Sequence, residues 1–259
     1  MSGPAGMQID HVALASYDSV PVLNTLVAEF GGTVLQGAIS VGFRPVQVRV
    51  GDASRGMTIE LLEPYRVEQF DFLARFLDTR GPGPHHLTFK VHDLAAELDR
   101  VRDAGLTPTG VLLDSPRWKE AFLAPADAHG TVVQLAEGGL DLYPTFADHF
   151  AAAEAGNPYG EPKWWPDPPA RAVERSWLDR VVVSTPVPDA ALAFYTDVLQ
   201  GTVAARGDGF VDVTWPAGGC VRLEADAHRA PGLVRLDVVG PGPARDVVLA
   251  GATVAVRPA

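Results

Sequence analysis

Four polar side chains, His11, Glu60, His86 and Gln134, stand in short segments that otherwise read as β-strands. Successive side chains of a strand point to opposite faces, so each of the four shares a face with small or polar neighbours while bulky apolar residues take the other face. Two imidazoles, one carboxylate and one amide oxygen suit a divalent transition metal. The pattern therefore predicts a metal site with positions left for substrate oxygens.

The residue types leave the metal and the reaction open. Zn, Mn, Co, Ni and Fe(II) all accept such ligands, and two histidines with one carboxylate also match the facial triad of Fe(II) oxygenases. An isolated strand histidine is more often a hydrogen-bonded core residue, but Glu60 favours the metal, because a mid-strand carboxylate is disfavoured unless it is paired or bound. Thr88 and Lys90 share the face of His86 and are the candidate substrate-binding residues.

An internal repeat predicts the elements that position these residues. The segments IDHVALAS (9–16) and HHLTFKVHD (85–93) are strand-like, and each is followed by apolar residues at helical spacing that end at glycine, and then by further strands. The interval from His11 to His86 differs by one residue from that between Glu60 and Gln134. Two βαβββ modules side by side would form a cupped mixed sheet that can hold a ligand.

The rest of the chain predicts a connector and a second, degenerate domain. Proline, glycine and aromatic residues are dense between 138 and 176, and a strand and helix pattern restarts at 177 with a shortened fourth module. We therefore predict an α+β protein of tandem βαβββ modules, with domains at 1–137 and 177–259. The connector aromatics are expected to pack against a domain: Tyr143, Phe146, Phe150, Tyr159, Trp164 and Trp165.

The second domain is expected to bind no metal. Aligning its first strand with that of the first domain puts Arg180 at the His11 position, and Arg222 falls at the Glu60 position. Guanidinium groups could meet an anionic ligand or form ion pairs with Asp179 or Glu224. We expect the second domain to serve packing, dimerisation or covering of the active half.

Composition excludes several classes of partner. The chain has 47% apolar residues and a net charge of −11, without a basic cluster, which argues against nucleic acid and anionic membranes. Cys220 is the single cysteine, so neither an intrachain disulfide nor a cysteine-based zinc cluster is expected. The sequence shows neither a signal-peptide pattern nor a long apolar run, so we expect a cytoplasmic protein, and its alanine, proline and valine content suggests a GC-rich bacterial genome.

Several segments together resemble the vicinal oxygen chelate superfamily, which includes glyoxalases, bleomycin resistance proteins and dioxygenases. They are IDHVALAS, MTIELLEP, FDFLARFLDTRGPGPHHLTFKVHDL and ADAHGTVVQLAE, and within the superfamily they are most similar to methylmalonyl-CoA epimerase-like proteins. The resemblance implies the vicinal oxygen chelate fold and metal ligands at His11, Glu60, His86 and Gln134. It also implies Glu60 and Gln134 as catalytic residues and a metal that stabilises an enolate or similar oxyanion.

Two departures argue against racemisation of methylmalonyl-CoA itself. The epimerase pattern has a glutamate at the position of Gln134, whose amide is not a useful proton acceptor, and the strand VGFRPVQVRV lacks the other catalytic carboxylate. The substitutes for the general base remain unranked: Glu63, Lys90, Lys119 and Glu120. The remaining histidines read as loop or surface residues without a role: His92, His129, His149 and His228.

Three functional hypotheses follow for a small-molecule partner. The first is a metal-dependent isomerase, epimerase or lyase that acts next to a carbonyl group. The second is an Fe(II)-dependent dioxygenase, and the third is a non-catalytic protein that binds a small molecule such as an antibiotic. The sequence leaves open whether the site closes within one chain or in a homodimer.

Overall fold

The computed structural model describes residues 6–138, 143–160 and 162–259, so parts of the predicted connector (139–142 and 161) lie outside the described residues. The strands are β1 (Gln8–Ala15), β2 (Thr33–Gly37), β3 (Phe43–Gly51), β4 (Gly56–Pro64), β5 (Gly83–Lys90), β6 (Thr109–Leu112), β7 (Trp118–Leu123), β8 (Val132–Gly138), β9 (Trp177–Thr185), β10 (Thr202–Gly207), β11 (Phe210–Thr214), β12 (Cys220–Ala225), β13 (Gly232–Gly240), β14 (Arg245–Leu249) and β15 (Ala252–Pro258). The helices are α1 (Val20–Ala28), α2 (Phe72–Arg80), α3 (Leu94–Asp103), α4 (Phe146–Glu154) and α5 (Pro188–Ala193), which continues into a π-helical turn (Phe194–Val198).

The first sheet consists of two βαβββ modules that meet along β1 and β5. Its eight strands run in the order β2-β3-β4-β1-β5-β8-β7-β6. The antiparallel register of β3 and β4 sets Gln47 opposite Glu60, and the parallel register of β5 and β8 sets Thr88 opposite Gln134. The predicted α+β fold with paired modules is confirmed.

The helices of these modules begin and end where the sequence predicts. Pro21 occupies the first turn of α1, and Asp93 caps α3 by accepting a hydrogen bond from the backbone N–H of Ala96 at 3.0 Å. Gly31 and Gly105, which follow the two helices, have φ angles of +67° and +83°. Only glycine adopts this left-handed backbone readily, so these residues end the helices at little cost.

Helix α2 is an element that the repeat pattern did not predict. Its residues Leu73 and Leu77 are buried against Ala13, Ala15 and Leu62. The face that His11 shares with Ala13 and Ala15 is therefore covered by α2 along part of its length. The small alanine side chains leave room for the helix, and burying each leucine stabilises the fold by about 2 kcal/mol.

The second sheet repeats this architecture in shortened form. Its seven strands run in the order β10-β11-β12-β9-β13-β15-β14. The third module is β9, α5, β10, β11 and β12, whereas the described residues from 232 to 259 form three strands and no helix. The last module is thus shorter than the third in the described residues.

By Cα proximity the described residues group into two compact units, and the first combines 6–11, 86–138 and 180–234. Within it, the Arg100 guanidinium donates to the backbone carbonyl of Asp197 at 2.9 Å and also to that of Val198, at the end of the π-helical turn. The rings of Phe89 and Trp215 pack with centroids 5.0 Å apart. Cationic capping of unsatisfied carbonyls and aromatic packing thus stabilise this unit.

The second unit combines 12–85, the described part of 143–179, and 235–259. Trp165 is 3% exposed, and its ring lies so close to Gly37 and Gly160 that a Cβ atom at either glycine would clash with it. Phe150 is also buried, and Phe146, although 41% exposed, lies under the Arg49 guanidinium with 5.0 Å between Cζ and the ring centroid, so both agree with the predicted packing of the connector.

Two further features of the second unit concern helix α4. His149 is 4% exposed with its Nε2 atom 3.1 Å from the backbone carbonyl of Leu35, so the interpretation of this residue as a surface histidine is wrong. Glu154 accepts hydrogen bonds from Thr33, Arg171 and Arg175. Burial raises the pKa of Glu154, but these three donors outweigh burial and hold the pKa at about 2.

Among the residues that the structure describes, no helix has the length and apolar character needed to cross a membrane.

Candidate metal centre

Three of the four predicted ligands converge. His11 on β1, Glu60 on β4 and His86 on β5 each offer a donor atom, and these atoms all lie within 4.8 Å of one another. The three residues are 1%, 9% and 5% exposed. Ligand atoms about 2.1 Å from one ion can be separated by at most about 4.2 Å, so small side-chain adjustments would bring all three onto a common metal. The donor set and its spacing fit a divalent transition metal.

Gln134 joins this group through Thr88. The Thr88 hydroxyl lies 2.9 Å from Nε2 of His11 and donates to Oε1 of Gln134 at 2.6 Å. Thr88 is fully buried and Gln134 is 6% exposed. The predicted amide ligand therefore lies beside the His11 ring, with its oxygen on the side of Thr88.

Asp10 orients the His11 ring. Its Oδ2 atom lies 2.7 Å from Nδ1 of His11, and its Oδ1 atom lies 3.8 Å from Nζ of Lys90. A carboxylate at Nδ1 favours the tautomer that keeps the Nε2 lone pair for a metal. Asp10 was missed by the strand pattern, which assigns adjacent residues to opposite faces. The Asp-His pair itself was the only signal in the sequence.

Glu60 accepts a hydrogen bond from a chain of two amides, and its charge also acts on His85. Nε2 of Gln47 donates to Oε1 of Glu60 at 3.0 Å, and Nε2 of Gln36 donates to Oε1 of Gln47 at 2.8 Å. The ring of His85 packs against Phe76, with centroids 4.6 Å apart. Burial lowers the pKa of His85 to about 4, against the opposing charge of Glu60, so this ring is neutral near pH 7.

The structure separates the four candidates for the general base. Glu63 is held by the Arg44 guanidinium and the Ser19 backbone N–H, the latter at 2.8 Å. Lys119 donates to Glu137 at 2.5 Å. Lys90 lies over the Trp118 ring at 4.6 Å from its centroid, beside Asp10. Glu120 is the candidate that contacts a predicted ligand, since Nε2 of Gln134 donates to it at 2.7 Å.

The corresponding positions of the second sheet form ion pairs. Arg180 donates to Oδ2 of Asp212 at 2.9 Å, and Arg222 donates to both carboxylate oxygens of Asp212 at 2.7 and 2.8 Å. Arg235 donates to Asp237 at 2.6 Å. Among the described residues of this sheet, these positions offer guanidinium groups, which do not ligate metals.

The N-terminal half of the chain matches a protein-family model. Residues 10–122 match the model of the Glyoxalase/Bleomycin resistance protein/Dioxygenase superfamily. This match confirms the resemblance of the N-terminal half that its segments predicted. No curated protein matches the chain in a sequence search.

Solved structures extend the similarity in fold. A hypothetical protein from Staphylococcus aureus aligns with a TM-score of 0.66 at 9% identity, covering 98% of this chain and 100% of that one. At this identity the alignment shows a shared fold across both sheets.

Two epimerase structures align with the N-terminal half. Methylmalonyl-CoA epimerase from Mycobacterium tuberculosis aligns at 27% identity with a TM-score of 0.46, covering 55% of this chain and 95% of that one. An S115T variant of the Streptomyces coelicolor methylmalonyl-CoA epimerase aligns at 29% identity with a TM-score of 0.44. The alignment covers 51% of this chain and 95% of that one.

Proposed function

We propose that this chain is a divalent-metal-dependent enzyme acting on a small oxygen-bearing substrate. The reaction would be isomerisation, epimerisation or lyase chemistry at a carbon next to a carbonyl group. The observation that carries the proposal is the convergence of His11, Glu60 and His86 within 4.8 Å at buried positions. In this proposal residues 1–137 form the catalytic domain, 138–176 the connector and 177–259 a domain without metal.

His11, Glu60, His86 and the amide oxygen of Gln134 would hold the ion, with Zn, Mn, Co, Ni and Fe(II) as candidates. When bound, such an ion supplies a Lewis acid that polarises a carbonyl oxygen of the substrate. The four ligands carry a single negative charge between them, so they would leave a net positive charge at the site. That charge favours substrates in which oxyanion character develops.

Hydrogen bonds from neighbouring residues hold this arrangement in place. Asp10 holds the His11 ring through Nδ1, and the Thr88 hydroxyl, which lies beside Nε2 of His11, donates to the amide oxygen of Gln134. The side chain of Lys90 is 20% exposed, and its ammonium group lies 3.8 Å from Oδ1 of Asp10. Its ammonium group is suited to attract a carboxylate or phosphate on the substrate, which makes Lys90 the proposed substrate-binding residue, beside Thr88.

An Fe(II)-dependent dioxygenase is the second candidate function. The observation that favours it is the donor set itself, because two histidines and one carboxylate are the ligands of many oxygen-activating Fe(II) sites. It predicts oxygen consumption and activity with ferrous iron only. Turnover supported by a redox-inert metal would remove this candidate.

The test is metal content, measured by elemental mass spectrometry on protein purified without an affinity tag. The His11→Ala/His86→Ala double variant is compared with wild type and with a His92→Ala/His228→Ala control, which removes two exposed histidines. We expect near-stoichiometric metal in wild type and control, and loss in the first variant.

The metal identified would separate the two enzyme hypotheses, since iron favours oxygenation and a redox-inert ion favours Lewis-acid chemistry. Absence of metal from all three proteins, even after dialysis against candidate ions, would contradict the enzyme and leave a small-molecule-binding protein.

A further inference from the structure

Glu120 stands on the strand face that borders the candidate metal centre. Trp118, Glu120 and Phe122 alternate along β7 and so share one face. The Phe122 ring meets the His86 ring edge-on, with centroids 6.4 Å apart and planes at 90°. Lys119, which lies between these residues in sequence, is on the opposite face and pairs with Glu137.

The Glu120 carboxylate is fixed by two donors on one oxygen. Oε2 accepts from Nε2 of Gln134 at 2.7 Å and from Nε1 of Trp118 at 3.0 Å. An ionised carboxylate only accepts hydrogen bonds, so the Gln134 atom that faces it must be the amide nitrogen. The amide oxygen then faces Thr88, whose hydroxyl donates to it at 2.6 Å.

Burial disfavours rotation of the Gln134 amide away from this orientation. Gln134 is 6% exposed and Thr88 is fully buried, so little water is available to compensate a rotated amide. Rotation would set the amide oxygen against the carboxylate and leave buried polar groups without partners, which is costly. A charge-assisted hydrogen bond on the nitrogen also draws electron density toward the oxygen and improves it as a ligand.

We propose that Glu120 is a positioning residue that turns the amide oxygen of Gln134 toward the metal and raises its strength as a ligand. This inference rests on the proposed metal site. Glu120 acts through Gln134 and need not touch the substrate. A carboxylate one strand away thereby increases the affinity of a neutral ligand without adding a charge to the ligand set.

The experiment is a titration of the metal-free protein with Co²⁺, followed by calorimetry and by the visible absorption of the bound ion. Glu120→Leu should raise the Kd about 10- to 100-fold and change the absorption spectrum, as expected when an outer-shell partner is lost. Glu120→Gln keeps an acceptor for the Gln134 amide and should recover most of this loss. Glu137→Gln is the matched control, because it removes a carboxylate charge on the other face of the hairpin, and it should bind Co²⁺ like wild type.

A double-mutant cycle keeps the inference testable if Glu120→Leu lowers stability. If Glu120 acts through Gln134, then adding Glu120→Leu to Gln134→Leu should change the Kd by less than about twofold. A full additive effect in that background, or a wild-type Kd and spectrum in Glu120→Leu, would overturn the inference while leaving the metal site intact. A wild-type protein that binds no Co²⁺ would instead overturn the proposed function, and this inference with it.

Discussion

The two sheets share a strand arrangement and differ where chemistry would occur. The central pairs of strands, β1 with β5 and β9 with β13, occupy corresponding places, and the parallel pairs β5/β8 and β13/β15 have matching registers. On this correspondence the four predicted ligand positions of the first sheet are occupied in the second by three arginines and an alanine. His11 corresponds to Arg180, Glu60 to Arg222, His86 to Arg235 and Gln134 to Ala255.

The exchange of charge between the sheets is the instructive difference. In the first sheet Gln47 lies opposite Glu60, and in the second Asp212 lies opposite Arg222. Glu60 lies opposite a neutral amide, so its negative charge remains available to bind a cation. The charge of Asp212 is instead neutralised by two guanidinium groups. The framework therefore accepts either arrangement, and the function resides in a few side chains placed on it.

The largest expected effect comes from copying the second sheet into the first. Glu60→Arg should reduce bound metal to background, because it replaces the only carboxylate of the ligand set with a cation. Elemental analysis measures the loss, and circular dichroism checks the fold. The reverse change in the second sheet, Arg222→Glu, is the control and should leave metal content unchanged. Retention of metal by Glu60→Arg would contradict the assignment of Glu60.

The second-largest effect is expected from removing Asp212, the carboxylate that accepts from both Arg180 and Arg222 in the second sheet. Asp212→Asn leaves Arg180 and Arg222 facing each other in a partly buried place and should destabilise the protein by about 2–3 kcal/mol. The shift in the urea unfolding midpoint measures this effect. Metal binding should be unaffected. An unchanged midpoint would show that other contacts of the two arginines suffice.

A smaller effect is expected behind the His11 ring. Asp10→Ala removes the carboxylate at Nδ1 and should weaken metal binding about 10- to 100-fold, which is roughly 1.4–2.7 kcal/mol. Calorimetric titration with Zn²⁺ measures it. Asp78→Ala, at an exposed position on α2, is the matched control. Equal affinities in the two variants would remove Asp10 from the site.

The smallest effect is expected at Glu154, which lies outside the four predicted ligand positions and their counterparts in the second sheet. Changing it tests whether stability can be altered without altering metal binding. The folded-state pKa of Glu154 is lowered to about 2 from 4.5, so its contribution is present above pH 4.5 and is lost as the pH falls toward 2. Glu154→Gln should lower the free energy of unfolding by about 1 kcal/mol at pH 7, and the difference from wild type should vanish near pH 2. Urea unfolding at several pH values measures it. A difference independent of pH would contradict the assignment, and metal content should not change.

Much of the first sheet could be predicted because its signals are local. Strand alternation, helical spacing and glycine ends are properties of short segments, and the repeat set His11 and His86 in one pair of equivalent strands and Glu60 and Gln134 in another. Helix α2 was missed because it breaks the repeat and because its packing depends on Ala13 and Ala15, which are distant in sequence.

The contacts around the ligands could not be derived from such patterns. Asp10 reaches Nδ1 of His11 although alternation assigns it to the other face, and Glu120 was one of four unranked candidates until the β7/β8 register set Phe122 opposite Gln134. Cross-strand register and side-chain rotamers decide these contacts, and neither is encoded in spacing along the chain.

The close packing of the Trp165 ring against Gly37 and Gly160 restricts how these positions can evolve. Because a Cβ atom at either glycine would overlap the indole ring, these two positions can acquire a side chain only when position 165 carries a smaller one. The three residues should thus vary as a set among relatives that retain this connector. Loss of the tryptophan would leave room for a side chain at Gly160, whereas a Cβ atom at Gly37 would still lie 2.9 Å from the backbone carbonyl oxygen of Pro45.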